Sequence, residues 1–267
     1  MIPDAYIKEW YAHAPWHKWT MVEQDLLISR MLIELFRDEH IRGSLIFRGG
    51  TALHKLFFPE PLRFSEDIDL VQRETGPIGP LFDTIRGIFR KWLGKPVRKQ
   101  GPGVATLTYR LSSEDIPPLP LRIKIEINTR EHFQVLPIKN KSMEVHCRWF
   151  EGRADIPVYQ IEELMATKLR ALYQRRKGRD LFDLAAALRL QDIRAKKVLT
   201  TFEKYLEAEG HRIHASTFRA NMRAKLEHPG FNQDCALLLR PGITFDVQAD
   251  FEMIDNILIS KLGELNR

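Results

Sequence analysis

Two aspartates one residue apart, Asp67 and Asp69 in RFSEDIDLV, are the residues whose spacing most directly suggests chemistry. Residues two apart on a strand share a face, so the two carboxylates stand side by side, roughly 6–7 Å apart at the backbone. Carboxylates that close repel unless a cation sits between them. A hard divalent ion, Mg²⁺ or Mn²⁺, prefers oxygen ligands of this kind when no basic side chain fills the gap. Glu126 is the best candidate for a third carboxylate. It lies in LRIKIEINT, where Leu121, Ile123, Ile125 and Ile127 alternate with Arg122, Lys124, Glu126 and Asn128, so one face packs and the other is polar. Three acidic groups on neighbouring strands can hold one or two metal ions, which clamp a triphosphate and lower the pKa of an attacking hydroxyl. The alternative is a charged, exposed strand end in which Glu126 pairs with Arg122 or Lys124.

A second cluster lies just upstream, in FRGGTALHKLFF. Gly49 and Gly50 sit where a strand turns into a helix. Their backbone N–H groups can approach a phosphate closely, and a helix N-terminus stabilises its charge. Thr51 either adds a hydroxyl to the same oxygen or caps its helix. Arg48, Arg63 and Ser65 lie in the same neighbourhood, and an arginine there makes sense if a polyphosphate bridges the site. Neither a GxxxxGK nor a GxGxxG is present, which removes support for the usual P-loop and dinucleotide readings.

The third signal is a lysine in an apolar stripe. In IEELMATKLRALYQRR, Ile161, Leu164, Met165, Leu169 and Leu172 mark one helix face and Lys168 falls near its middle. Either Lys168 snorkels along the helix edge or its ammonium meets an anion in a cleft. Downstream come Arg175, Arg176, Lys177 and Arg179, then Asp180 and Asp183. Gly178 is expected to end one helix, and Asp180 to start the next as a favourable charge in its first turn. Asp183, opposite Leu181, Leu184, Ala185 and Leu188, is expected to face solvent or the cleft.

These residues need a particular framework. An amphipathic helix is expected over VEQDLLISRMLIELFRDEH, a short strand at SLIF, a helix from Thr51 closed before Pro59, a strand at EDIDLV and a helix at PLFDTIRGIFRKWL. Strands at GVATLTYRL and LRIKIEINT follow. From about Pro157 the pattern becomes helical, with a boundary expected near residue 155. The chain has 267 residues, enough for an ordinary core without disulfides, and its 44% hydrophobic and 28% charged content excludes a disordered chain. No apolar run reaches a membrane span, the N-terminus lacks a secretory core, and only Cys147 and Cys235 are present, so the expected setting is cytoplasmic. The net charge of +6 favours a polyanionic partner. Candidate contacts for an RNA backbone are Arg86, Arg90, Lys91, Lys95, Arg98 and Lys99, and the cluster from Arg175 to Arg179; solvated, salt-bridged faces are the alternative.

The GGTAL turn, the RFSEDIDL strand and the later Lys168 and RDLFDL segment, in that order, resemble the AbiEii family of nucleotidyltransferase toxins, including the MenT-type members. The resemblance covers about residues 45 to 190. It implies an α/β (α+β) fold: a polymerase-beta-like nucleotidyltransferase core with a mixed sheet over residues 1–155, then a helical C-terminal half over 156–267. It also implies an NTP substrate bound at Gly49, Gly50 and Thr51, with Arg48, Arg63, Ser65 and Arg179 nearby. Asp67 and Asp69, joined by Glu126, would hold Mg²⁺ or Mn²⁺. Lys168 would contact the nucleotide phosphates, with Asp180 or Asp183 supporting it. The implied acceptor is RNA, in particular the 3′ end of tRNA, and a cognate antitoxin is an implied partner. A protein or small-molecule hydroxyl, as in aminoglycoside nucleotidyltransferases, is the alternative acceptor. A non-catalytic nucleic-acid- or partner-binding protein on the same scaffold is the alternative from another class. The aromatic start, Trp10, Tyr11, Trp16 and Trp19, serves either an antitoxin or the protein's own core.

Overall fold

A computed structural model describes residues 2–263. The chain forms two compact units, one made of the residues up to Phe133 with Ile138–Tyr159, the other of Gln134–Pro137 with the residues from Gln160 onward.

The first unit is built on a seven-stranded mixed sheet. Its strands are β1 (Leu45–Arg48), β2 (Asp67–Gln72), β3 (Val97–Gly101), β4 (Val104–Ser112), β5 (Pro120–Asn128), β6 (Lys139–Cys147) and β7 (Phe150–Val158), in the order β3-β4-β5-β2-β1-β7-β6. β2 lies between β1, to which it is antiparallel, and β5, to which it is parallel. The expected alternation on β5 holds, since Leu121, Ile123, Ile125 and Ile127 are buried while the residues between them are not.

Five helices accompany the sheet: α1 (Asp4–Trp10), α2 (Trp19–Arg37), α3 (Glu39–Ser44), α4 (Gly49–Leu56) and α5 (Gly79–Phe89). The helix expected over residues 22–40 is two helices, because Asp38 leaves helical geometry and its carboxylate accepts from the Ile41 N–H as the N-cap of α3. α2 is buried along nearly its whole length. Its Asp25 accepts from the Trp10 indole and from the Lys55 ammonium of α4, each at 2.9 Å. A buried carboxylate on a core helix is tolerable when paired in this way, and here it ties α4 to α2. Trp10 and Trp16 belong to the unit's own core, whereas Tyr11 and Trp19 are exposed, with their rings 5.1 Å apart.

The second unit is helical. It contains α6 (Ile161–Gln174), α7 (Gly178–Leu190), α8 (Ala195–Ala208), α9 (Ala215–Leu226), α10 (Pro229–Gln233) and α11 (Val247–Ile257), then a short 3₁₀ turn at Ile259–Lys261. Glu163, in the first turn of α6, accepts from the backbone N–H groups of Val135 and Leu136 and from the Tyr205 hydroxyl, which pins residues 134–137 to this unit. Gly178 begins α7 instead of ending α6. A Cβ there would overlap the Phe231 carbonyl, so the residue is glycine for close packing and not for a helix stop. Among the described residues no helix is long and apolar enough to cross a membrane.

Candidate active site

β1 delivers the chain into the site. Arg48, its last residue, pairs across the sheet with Asp69, and Gly49 then turns with φ +81° into α4. That left-handed backbone favours glycine, and a Cβ there would also overlap the Asp69 carboxylate. Gly50 is under a similar constraint, since its Cβ would overlap the Arg63 guanidinium and lie 3.2 Å from Ser65 Oγ. The glycines form the first turn of α4 themselves, one residue pair earlier than the sequence pattern suggests. Thr51 is fully buried; its hydroxyl donates to the Asp67 carbonyl oxygen and pairs with the Ser65 hydroxyl at 2.8 Å. Thr51 therefore fixes the start of β2 to α4 and has no exposed surface to offer a ligand. Arg63 is buried and donates to the Phe64 carbonyl, while Arg48 reaches Glu131 at 3.4 Å.

β2 and β5 then set the carboxylates. In the parallel register Asp67 lies opposite Lys124, and Asp69 lies opposite Glu126. On the other side of β5, the antiparallel register with β4 places Thr106 and Thr108 beside Glu126 and Lys124. Asp67, Asp69 and Glu126 thus share one face, as their alternation requires. The structure corrects one premise. A basic side chain does reach the acidic face, between Asp67 and Glu126: the Lys124 ammonium is 3.3 Å from Asp67 Oδ2 and 3.0 Å from Glu126 Oε2. Burial raises the Asp67 pKa, with Lys124 opposing part of that rise. Lys124 was legible only as one of two possible partners of Glu126. Its contact with Asp67 depends on the β2–β5 register, which sequence alone does not fix.

Among the described residues no three His, Cys, Asp or Glu side chains converge tightly enough to hold a metal ion. The donor set nevertheless fits a hard cation in chemistry, with carboxylate oxygens on adjacent strands and a cationic nitrogen already lodged between two of them.

The second constellation lies within the helical unit. Lys168 is buried, and its ammonium pairs with Asp183 at 2.7 Å and Asp180 at 3.2 Å. Asp180 is also held by Arg175 through two bonds of 2.7 and 2.9 Å; burial pushes its pKa up, but the Lys168 charge and then the Arg175 bonds outweigh burial and hold the carboxyl below its ordinary range. Asp183 does not face solvent. It is fully buried, because Lys168 supplies the charge that makes its burial tolerable. Lys168 likewise does not snorkel; the anions it meets are on the next helix. Two aspartates at i and i+3, which share one helix face, were the available signal for this pairing. Arg179 stands apart from the cluster. Its backbone N–H donates to Asp234, the carboxylate that also receives Lys177.

The sequence profile of the family described as nucleotidyl transferase AbiEii toxin, type IV TA system, matches residues 30–253. No curated protein matches the chain. Among solved structures, MenT4, a nucleotidyltransferase toxin from Mycobacterium tuberculosis, superposes with a TM-score of 0.62 at 15% identity, covering 96% of this chain and 90% of that one. JHP933 from Helicobacter pylori superposes with a TM-score of 0.54 at 15% identity, over 94% and 96% of the two chains. Another H. pylori protein, described as a putative nucleotidyltransferase, does so with a TM-score of 0.52 at 17% identity, over 92% and 97%. At these identities the structural likeness shows the fold, a mixed sheet followed by a helical half.

Proposed function

The chain belongs to the AbiEii family of nucleotidyltransferase toxins, and from that premise we propose that it transfers a nucleoside monophosphate from an NTP to a hydroxyl of RNA, the 3′ end of tRNA. The observation that carries this reading is the acidic face of β2 and β5 beside the Gly49–Gly50 turn, where no side chain stands between the backbone and Asp69.

Asp67, Asp69 and Glu126 would hold Mg²⁺ or Mn²⁺. When bound, such an ion neutralises charge on the triphosphate and lowers the pKa of the acceptor hydroxyl. The chain's own residues orient the reactants. The N-terminus of α4 would present the Gly49 N–H to phosphate oxygens, with the buried Gly50 beside it, and Thr51 keeps that turn in register with β2. Glu126, the most exposed of the residues in the Lys124 bridge, would accept the proton of the attacking hydroxyl. The hydroxyl oxygen bonds to the α-phosphorus, the bond to the bridging oxygen breaks, and pyrophosphate leaves. Lys168 already carries two buried carboxylates, so a phosphate reaching it would share the ammonium with them.

RNA as acceptor is supported by the distribution of charge. Of the two basic clusters, that from Arg175 to Arg179 is largely paired with Asp180 and Asp234, whereas Arg90, Lys91, Lys95 and Lys99 are exposed. The test incubates purified protein and its Asp69→Ala variant with Mg²⁺, total bacterial tRNA and each NTP labelled at the α-phosphate. Label entering RNA with the wild type alone is the expected result and identifies the nucleotide. Pyrophosphate release without label in RNA would move the acceptor to a protein or a small molecule.

A further inference from the structure

Lys124 lies on the acidic face itself, two residues before Glu126 and opposite Asp67. One oxygen of each carboxylate is turned toward its ammonium, at 3.3 and 3.0 Å. A lysine on an open strand face normally extends into water, where its charge is hydrated and its rotamers are free. Here the side chain is 28% exposed and folded back between two anions. It takes the place of the cation that two converging carboxylates require.

Resting on the reading of Asp67 and Glu126 as metal ligands, we propose that Lys124 is an internal counter-cation, which stabilises the acidic face in the metal-free protein and must be displaced when a divalent ion binds. Asp67 and Glu126 together carry one negative charge more than the ammonium between them offsets, so the pair still attracts a divalent ion. One oxygen of Asp67 and one of Glu126 are committed to Lys124 until that ion arrives. Affinity for the free metal is therefore held down. A metal arriving with a nucleotide meets less resistance, because the displaced ammonium gains phosphate oxygens as new partners. Metal and nucleotide accordingly favour each other's binding, and by thermodynamic reciprocity each does so by the same factor.

The test is a Mn²⁺ titration without nucleotide, following loss of the free ion's paramagnetic resonance signal. Removing a unit charge at this distance from partly solvated ligands should tighten Mn²⁺ binding roughly tenfold or more in Lys124→Met. Lys124→Arg, which keeps the charge, should stay within about threefold of the wild type. The gain should vanish in Lys124→Met/Asp69→Ala and be absent from Arg122→Met, which removes an exposed charge two residues away. Circular dichroism verifies folding, and Lys124→Gln provides a second neutral side chain if the methionine variant does not fold. Equal Mn²⁺ affinity in the wild type and a folded neutral variant overturns the counter-cation role and leaves the metal site standing. Absence of binding in every protein, or binding that survives Asp69→Ala, overturns the metal-ligand reading and this inference with it.

Discussion

Gly49 meets two independent demands, a left-handed backbone and a side-chain-free approach to the Asp69 carboxylate. Gly49→Ala should therefore cost about 1–3 kcal/mol in unfolding free energy and displace Asp69, abolishing nucleotide transfer. Gly43→Ala, at a helical site where a Cβ meets nothing within 4 Å, should be neutral or stabilising by about 0.5–1 kcal/mol. Urea unfolding and labelled-nucleotide transfer of the two variants separate local strain from a general intolerance of alanine. Lys168 supports a prediction of a different kind, because its partners are fully buried. Lys168→Met should destabilise the protein by about 3–5 kcal/mol, and Lys168→Met/Asp183→Asn should recover part of that loss. A lysine that only bound substrate would leave the urea midpoint unchanged on removal. The glycine pair and the aspartate pair were legible in the sequence because each signal is local, a turn and an i, i+2 repeat. Lys124 against Asp67 was not, and Lys168 against Asp183 was legible only as two aspartates on one helix face, since each pairing joins elements whose register or packing exists only in the folded chain.

At the scale of elements, α6 is fixed at both ends by groups from elsewhere in its unit. Glu163 binds residues 134–137 near the start, and the Lys225 ammonium of α9 donates to the Leu172 and Tyr173 carbonyls in the last turn. A cation there satisfies carbonyls that lack intrahelical partners and complements the helix dipole. Burial lowers the Lys225 pKa from 10.5 to about 8, with Asp180 opposing the shift. Between those two values the unfolded chain binds more protons than the folded one, so this group makes stability rise with pH across that window. Lys225→Met should be less stable by about 1–3 kcal/mol at neutral pH for want of the two carbonyl bonds. It should also lose the rise, so its deficit should widen from about pH 7 to about pH 10 in urea melts. A constant gap would show that Lys225 does not titrate in that range. The helices α6 and α7 and the strands β1, β2, β4 and β5 were readable because each carries an apolar run or a regularly spaced apolar face. β6 and β7 were not. β6 is mostly exposed over its first half, and β7 contains Gly152 and Pro157, residues that argue against a strand. β7 tolerates them because it pairs with β1 only at its end, Phe47 opposite Val158, and because Gly152 lets α2 approach closely at Ile33 and Arg37.

At the scale of the whole molecule, the net charge of +6 is concentrated in one stretch. Residues 79–101 carry Arg86, Arg90, Lys91, Lys95, Arg98 and Lys99 against Asp83 as their only acid. That stretch comprises α5, the following turn and the edge strand β3. Basic residues on an edge strand protect it from pairing with other sheets, which accounts for Arg98 and Lys99 without any ligand. It does not account for Arg86, Arg90 and Lys95, which line a concavity of about 470 Å³ with Asp83, Gly87, Gly94 and Pro96. If the acceptor is RNA, these three are the candidate contacts for its backbone, Arg86 by leaving its ion pair with Asp83, and counterion release makes the claim quantitative. Replacing all three by glutamine should weaken tRNA binding at low salt and reduce the slope of log affinity against log salt by about 2–3. NTP binding, measured separately, should be unchanged. A wild-type protein whose tRNA affinity ignores salt would remove the electrostatic case for an RNA acceptor. A variant that keeps the full slope would place the RNA on another surface.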